Sequence, residues 1–274
     1  MRPPLILLPP SEAKASGGNG PAWTPGVMVA PELDVRRARV VAALVRAMTA
    51  SAPRRGALLG VKGQALAAAT AANLAVSTSA TVAAIDRYTG VLYDALDAGS
   101  LPARSRRRLV DQVRIFSGLW GIVAPADPIP DYKLKMGATV PRLSRPATRL
   151  ATWWRPAITA ALAPEVAGRV VWDLLPGEHR AAWAPARTGP EAPQAILSVR
   201  FFDQVVRAGQ PELVIVSHWN KLLKGALVRF ILAGQLAGAE GLAAFEHPLG
   251  YRYDPDLTES SPEGHQVVAL VKPA

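Results

Sequence analysis

The sequence predicts a single compact domain of the α/β (α+β) class, in which helices surround a mixed sheet. Short hydrophobic runs typical of strands alternate with helical segments along the whole chain. Neither an internal repeat nor a clear linker divides it. Of its 274 residues, 50% are hydrophobic, which is sufficient for a large core. We expect one domain over residues 1–274, with a helix-hairpin-helix-like lobe at about residues 50–80.

The predicted elements follow one another from the N-terminus. Residues 5–8 form an apolar run bounded by prolines, as is typical of a short buried strand. Residues 16–21 are glycine-rich and predict a loop, and residues 34–50 have the apolar spacing of an amphipathic helix. The other expected helices cover residues 87–98, 149–162 and 219–236, and a further one carries the basic cluster Arg104, Arg106, Arg107 and Arg108. The other expected strands cover residues 112–116, 169–174, 195–202, 212–216 and 266–271. We expect the strand over residues 212–216 to be buried.

Residues 58–73 have the pattern of a helix-hairpin-helix. A short hydrophobic helix leads into a glycine turn and then into an Ala-rich second helix. The open N-terminal end of such a second helix presents backbone N–H groups to a phosphate, and here Lys62 and Gly63 would contribute. This turn has two residues between its glycines where the usual motif has one, so an ordinary helical turn is an equal alternative.

Composition excludes several classes of chemistry. The chain has no cysteine, which rules out disulfides, thiolate catalysis and Cys-type metal sites. Its four histidines show no ligand spacing, so we expect no metal site and no cofactor. The apolar run of residues 5–8 is too short for a signal segment or a membrane span. We therefore expect a cytoplasmic protein without a membrane partner.

Charge and lysine usage point to a polyanionic partner. The formal net charge is +10, yet only seven of the 31 basic residues are lysines. An ammonium can act as a base, a nucleophile or a phosphate contact, whereas a guanidinium stays protonated. Six of the seven lysines lie in segments that resemble site material: Lys14, Lys62, Lys133, Lys135, Lys221 and Lys224. Chance placement on solvated faces is the alternative.

The predicted helix over residues 219–236 carries Asn220, Lys221 and Lys224 near its start. The helix dipole disfavours cations there, so two ammonium groups indicate an anion site and can also lower a lysine pKa. Lys221, Gly225 and Arg229 recur at four-residue steps and share one face. A glycine in the middle of a helix suggests the close approach of a backbone or a ligand.

Two further groups suggest acid–base chemistry. Ser11, Glu12 and Lys14 follow the first strand and together can transfer protons, although a structural salt bridge would give the same sequence. Glu178 and His179 offer a second base, although a non-catalytic role is the favoured interpretation of an isolated Glu-His pair. Aromatic residues could stack on nucleobases or belong to the core, and these are Trp120, Tyr132, Trp153 and Trp154.

Two motifs carry a family resemblance. Ser117-Gly118-Leu119-Trp120-Gly121 is followed by Tyr132-Lys133-Leu134-Lys135-Met136-Gly137. Supporting matches are Ser11 and Lys14 after the first strand, Tyr88-Thr89-Gly90 with Tyr93, Trp154, Glu178, and Lys221 with Gly225 and Arg229. In these residues the chain resembles the bacterial peroxide stress protein YaaA family, also called UPF0246 or DUF328. It departs from the family pattern at residues 155–156 and 173–176.

The resemblance implies a single α/β fold with a helix-hairpin-helix and a positively charged cleft, DNA binding, and protection of cells against hydrogen peroxide. The leading hypothesis is therefore a protein that binds double-stranded DNA or a nucleotide-like anion; no protein partner is predicted. The expected binding residues are Ser11, Lys62, Gly63, Thr89, Tyr93, Ser117, Tyr132, Lys133, Lys135, Asn220, Lys224 and Arg229. The alternative is a glycosylase- or lyase-like enzyme acting on a nucleobase, nucleotide or damaged DNA, with Lys14, Glu12, Lys221 and Glu178 as catalytic candidates. A structural or partner-binding protein whose basicity is compositional drift is the third interpretation.

Overall fold

The computed structural model describes residues 2–207, 209–216, 220–262 and 264–274. The helices in these ranges, in chain order, are α1 Asp34–Ala47, α2 Ala52–Leu59, α3 Gly63–Leu74, α4 Ala84–Arg87, α5 Val91–Leu96, α6 Ala103–Gln112, α7 Leu150–Val166, α8 Gly177–Arg180 and α9 Asn220–Gly234. Within the described ranges, no helix combines the length and the hydrophobicity that a membrane span requires.

The strands of the described ranges form a mixed main sheet with helices around it, as predicted, and a separate two-stranded sheet. They are β1 Leu5–Leu8, β2 Val82–Ala83, β3 Val113–Ser117, β4 Gly121–Val123, β5 Pro128–Ile129, β6 Val170–Asp173, β7 Ala195–Arg207, β8 Gln210–Ile215, β9 Arg252–Ser260 and β10 His265–Lys272. The main sheet has the order β4-β3-β1-β6-β7-β10-β9, with β8 also pairing with β7, and β2 and β5 form the two-stranded sheet. Strands β3, β1, β6, β7 and β10 run parallel, while β4, β8 and β9 pair antiparallel.

Strand β1 lies between two parallel neighbours. Its register pairs Ile6 with Val113 of β3 on one side and with Trp172 of β6 on the other. All four of its residues are fully buried. A parallel strand covered on both faces requires a continuous apolar run, which is why residues 5–8 do not alternate with polar residues.

The order of the parallel strands creates a crevice between β1 and β6. From β1 the chain continues to β3 on one side, whereas from β6 it continues to β7 on the other side. The loops at the carboxyl ends of these two neighbouring strands therefore diverge. Ligands of open α/β sheets bind at this kind of topological switch point.

Helices α2 and α3 are joined by the short turn of residues 60–62. Gly60 ends α2 in the left-handed conformation, with φ of 69°. Asn73 near the end of α3 is fully buried and makes two hydrogen bonds to the backbone of Lys133, at 2.8 and 2.9 Å. The second helix is thereby fixed to the segment that carries Lys133 and Lys135.

Several predicted elements differ from the structure. The helix expected over residues 87–98 is interrupted at Gly90, whose φ of 98° is incompatible with a helix, and becomes α4 and α5. Strand β8 is exposed along its whole length and not buried, because it pairs with the part of β7 that extends beyond β6. Trp219, the expected first residue of the last long helix, lies outside the described residues. Strand β9 was not predicted.

Candidate functional site

A cavity of about 690 Å³ opens at the carboxyl ends of β1 and β6. The loops after these two strands form part of its wall, together with the start of α5, the segment around Leu134 and the start of α9. Most of the predicted site residues line it, namely Ser11, Glu12, Lys14, Thr89, Tyr93, Lys133, Lys135, Glu178, Asn220, Lys221 and Lys224. Five segments that are distant in sequence therefore meet at the switch point of the sheet.

The other predicted site residues lie around this cavity and do not line it. Lys62 and Gly63 are exposed at the turn before α3. The turn is adjacent to Lys135, which lines the cavity, because a Cβ atom at Gly60 would lie 3.2 Å from Lys135 Nζ. Ser117 and Tyr132 are buried beneath the cavity, and Arg229 packs against α5.

Lys14 is partly buried at the floor of the cavity. Its Nζ donates a hydrogen bond to the carbonyl oxygen of Ser11 at 3.2 Å and lies 4.4 Å from the centre of the Tyr132 ring. Burial, together with the nearby Lys133 ammonium, lowers the pKa of Lys14 from 10.5 to about 8. An appreciable fraction of Lys14 is therefore neutral near neutral pH.

The Tyr132 ring that contacts Lys14 belongs to a hydrogen-bonded chain of buried hydroxyl groups. Tyr132 Oη is 2.7 Å from Ser117 Oγ and 2.8 Å from Tyr88 Oη. The backbone N–H of Trp120 donates to Ser117 Oγ at 3.1 Å. Burial raises the pKa of Tyr132 to about 12, so this tyrosine stays neutral and offers Lys14 no negative charge.

Arg87 holds the loop that carries Lys14. Its fully buried guanidinium donates to the carbonyl oxygens of Ala15, Gly17 and Ile129, the latter two at 2.7 and 3.3 Å. A guanidinium can make several hydrogen bonds in one plane, which suits it to bind a curved loop. Arg87 thus positions Lys14 without lining the cavity.

Thr89 and Tyr93 fix the beginning of the same loop. The backbone N–H of Thr89 donates to Ser11 Oγ at 3.1 Å, and Tyr93 Oη donates to the carbonyl oxygen of Pro9 at 2.8 Å. Ser11 Oγ also donates to the carbonyl oxygen of Ala13. The hydroxyl groups of Ser11 and Tyr93 therefore hold the wall of the cavity in place through these hydrogen bonds within the protein.

Glu12 and Lys133 form an ion pair on the solvent-exposed side of the cavity. Lys133 Nζ is 3.7 Å from Glu12 Oε2 and donates to the carbonyl oxygen of Glu12 at 3.3 Å. The carboxylate is largely exposed, with 69% of its side-chain surface accessible. Exposed pairs contribute less than about 1 kcal/mol, so an anionic ligand can replace Glu12 easily.

Lys224 approaches the end of β6. Its Nζ donates to the carbonyl oxygen of Leu174 at 2.9 Å, and burial lowers its pKa to about 8. The buried carboxylate of Asp173 acts in the opposite direction on this pKa but is already bonded to Arg180 Nε at 2.6 Å. Lys221, one turn earlier on α9, is exposed to the cavity.

Glu178 and His179 form the opposite wall. Glu178 is exposed, and its Oε2 lies against the backbone of Gly137. His179 is buried, which lowers its pKa to about 4, so the ring is neutral at pH 7. Its Nδ1 lies 3.7 Å from Glu178 Oε1 and has no hydrogen-bond partner among the described residues. A neutral imidazole beside an exposed carboxylate is not an ion pair at this pH.

The predicted shared face of α9 packs against α5. A Cβ atom at Gly225 would collide with the carbonyl oxygen of Leu92, so glycine is required for the two helices to approach. Arg229 donates to the carbonyl oxygens of Leu96 and Asp97 at 3.2 and 3.0 Å and so caps the end of α5. Gly225 thus accommodates a backbone, which was one of its two predicted roles.

The two sequence motifs pack directly on each other. A Cβ atom at Gly118 would lie 2.8 Å from the carbonyl oxygen of Leu134, so the first motif requires glycine for the second to approach. Trp154 Nε1 donates to the carbonyl oxygen of Gly118 at 3.0 Å. Trp120, Tyr132 and Trp154 are buried, which makes them core residues. Their spacing in sequence therefore reflects a single packed unit beneath the cavity.

A family model described as "Peroxide stress protein YaaA" matches residues 5–257 of this chain. The chain belongs to the YaaA family. A UPF0246 protein of Streptomyces coelicolor is 37% identical over 253 residues, which cover 91% of this chain and 92% of that protein. A UPF0246 protein of Corynebacterium glutamicum is 32% identical over 255 residues, covering 89% and 96%. One from Cereibacter sphaeroides is 31% identical over 225 residues, covering 81% and 83%.

The sequence did not identify three residues that shape the site of this YaaA-family chain. Arg87 and Asn73 hold the loops bearing Lys14 and Lys133. Asp173 binds Arg180 beside Lys224. Arg87 was detectable as the residue before Tyr88-Thr89-Gly90, and Asp173 as a carboxylate at a strand end, whereas Asn73 lies in an Ala-rich helix and gives no signal.

Proposed function

We propose that this YaaA-family protein binds DNA during peroxide stress and holds the phosphates with the lysines of its cavity. The observation that carries the proposal is the gathering of lysines. Five of the seven lysines of the chain line one cavity, against two carboxylates. A chain that otherwise uses arginine would not concentrate lysine in this way by compositional drift.

The charges of this cavity are poorly neutralised. Within the described ranges, Lys133 is the one cavity lysine with a carboxylate oxygen within 4.0 Å. Burial lowers the pKa of both Lys14 and Lys224 to about 8, so each ammonium is costly when the cavity holds no anion. A phosphate would remove that cost, because an opposite charge favours the protonated form.

The turn between α2 and α3 extends the same surface. Lys135 lies beside Gly60, and Lys62 and Gly63 are exposed just beyond it. The first N–H groups of α3 have no partner within their own helix and can bind a phosphate oxygen. This arrangement supports contact with a second phosphate along a strand.

Little sequence preference is expected from such a surface. Phosphate contacts position a protein on DNA but carry no direct base information. The large aromatic residues that would stack on bases are buried, among them Trp120, Tyr132 and Trp154. Backbone binding by lysine also predicts a steep dependence on salt, because each neutralised phosphate releases a counterion.

The test is fluorescence anisotropy with a labelled intact duplex across a salt series. Five phosphate contacts predict a log–log slope of about −4.5 on duplex DNA. Lys221→Ala should reduce the magnitude of the slope by about 1, because its ammonium is exposed and its removal leaves the fold intact. Lys272→Ala removes an exposed lysine that does not line the cavity and should leave the slope unchanged. Absent or salt-insensitive binding would overturn the proposal.

A cellular experiment tests the link to peroxide. A strain lacking this gene should lose viability in hydrogen peroxide, and the gene carrying Lys272→Ala should restore it. A gene in which Lys133, Lys221 and Lys224 are replaced together should not restore it. Full rescue by the triple variant would separate peroxide resistance from the cavity.

A further inference from the structure

Lys14 differs from the other lysines of the cavity. Lys133 faces the carboxylate of Glu12, and Lys221 is exposed to solvent. Lys14 instead lies over the rings of Tyr132 and Tyr88, at 4.4 and 5.6 Å from their centres. In the described part of the chain, no carboxylate oxygen lies within 4.0 Å of its Nζ. Its direct contacts are two aromatic rings and one backbone carbonyl oxygen, which is unusual for a residue that serves as a charge.

Such surroundings favour an amine over an ammonium. With a pKa of about 8, about a tenth of Lys14 is neutral at pH 7, compared with about one part in 3,000 for an ordinary lysine. Only the neutral form has the lone pair that attacks an electrophile. Phosphate binding alone would need no such neutral fraction, and Lys133, Lys135 and Lys221 already serve that purpose.

Lys224 is the natural comparison, because burial lowers its pKa to a similar value. Its Nζ, however, donates to the carbonyl oxygen of Leu174 at 2.9 Å and lies near Asp173 at the end of β6. The longer bond from Lys14 Nζ to the carbonyl oxygen of Ser11, at 3.2 Å, is the one hydrogen bond of this ammonium within the described residues. Lys14 is therefore the less restrained amine.

We propose that Lys14 forms an imine with the aldehyde of a phosphate-substituted deoxyribose, the open-chain sugar present at an abasic position in DNA. The Nζ lone pair adds to the aldehyde carbon to give a carbinolamine. Both amine protons then pass to the former carbonyl oxygen, which leaves as water, so that the C=N bond replaces C=O without any external oxidant or reductant. The inference rests on the proposed function, because the neighbouring lysines would hold the flanking phosphates.

The size and charge of the cavity fit this class of substrate. Its volume of about 690 Å³ lies in the range of small-molecule sites and exceeds that of a sugar phosphate. Lys133 and Lys135 on one side and Lys221 on another can each reach a phosphate attached to the sugar. The same chemistry also exists in free deoxyribose 5-phosphate, so both sources are included in the experiment.

The experiment combines binding and borohydride reduction. The wild-type protein is mixed with an intact duplex, a duplex with one abasic site, or free deoxyribose 5-phosphate. Anisotropy reports binding to the two duplexes, and sodium borohydride then reduces any imine to a stable secondary amine, which peptide mass spectrometry locates. The variants are Lys14→Arg, which keeps the charge, Lys14→Met, which keeps the side-chain length, and Lys272→Met, which removes an exposed lysine outside the cavity, as the control. Circular dichroism confirms that each variant is folded.

The expected result is an adduct at Lys14 with the abasic duplex, loss of that adduct in both Lys14 variants, and retention in Lys272→Met. Binding to DNA without an adduct, or an adduct on another lysine, overturns the inference and leaves the proposed function intact. An adduct at Lys14 with deoxyribose 5-phosphate, accompanied by no binding to either duplex, supports the imine and overturns the proposed DNA binding. Absence of both binding and adduct overturns both.

Discussion

Replacing Lys14 with methionine should stabilise the folded protein at neutral pH. Methionine has a similar length and is apolar, so it can lie over the Tyr132 ring that now carries the Lys14 ammonium. The lowered pKa of Lys14 means that its protonated form is less favourable in the folded state than in the unfolded state. The wild type bears this cost, and the variant does not.

The expected gain in the free energy of unfolding follows from the size of the pKa change of Lys14. A fall from 10.5 to about 8 corresponds to about 3 kcal/mol at pH values below 8. Attraction of the ammonium to the ring and the lost bond to Ser11 each offset about 0.5–1 kcal/mol of the gain. We therefore expect a net gain of about 1–2 kcal/mol, or about 2–4 °C in Tm.

The stability difference between Lys14→Met and the wild type depends on pH. Between pH 8 and 10.5 the unfolded state binds more protons at Lys14 than the folded state, so this residue makes the wild type more stable as pH rises. The advantage of Lys14→Met is therefore complete below about pH 8 and disappears toward pH 10.5. Urea unfolding at several pH values measures both stabilities, with the exposed Lys221→Met as the control. A variant that is no more stable than the wild type at pH 7 would refute the electrostatic account of Lys14.

Two other predictions use thermal or urea unfolding. His179→Gln should lessen the loss of stability as pH falls from 6.5 toward 4. Burial lowers the pKa of His179 to about 4, so the unfolded state binds a proton at this residue in that range and the folded state does not. A variant that loses as much stability as the wild type between pH 6.5 and 4 would contradict this. Gly225→Ala should cost at least about 2 kcal/mol, because its Cβ meets the carbonyl oxygen of Leu92, whereas Gly99→Ala, with open space at its Cβ, should cost under about 0.5 kcal/mol. Similar losses in both variants would argue against close packing of α5 and α9.

The sequence located most of the cavity residues because strand ends are encoded locally. The apolar run of β1 ends at prolines, and the residues that follow must enter the crevice at the sheet edge. The same reasoning applies to Glu178, which follows β6. Lysine bias in an arginine-rich chain then distinguished these loops from others, since five of the seven lysines line the cavity.

What the sequence could not supply depends on contacts between distant segments. In the sequence Arg87 looks like any other charged residue. Only the fold shows that it donates to the carbonyl oxygens of Ala15 and Gly17 and so fixes the loop after β1. Likewise, the apolar residues of β8 resemble a buried strand, and only the extension of β7 beyond β6 leaves them exposed. Strand β9 is mostly polar and contains Pro255, so nothing in its residues distinguishes it from a loop before β10 pairs with it.

The two roles inferred for Lys14 have opposite pH dependences, which allows one titration to separate them. Binding of phosphates raises the pKa of Lys14 and Lys224, so DNA binding at pH 8 should take up as much as about one proton in total, since each lysine is about half protonated there. Calorimetry in buffers with different ionisation enthalpies measures this uptake, and Lys224→Met should halve it. Imine formation instead requires the neutral amine and should become faster as pH rises toward 8. Binding that takes up no proton would show that the phosphates lie away from both buried amines, and would refute a role of Lys14 and Lys224 in holding them.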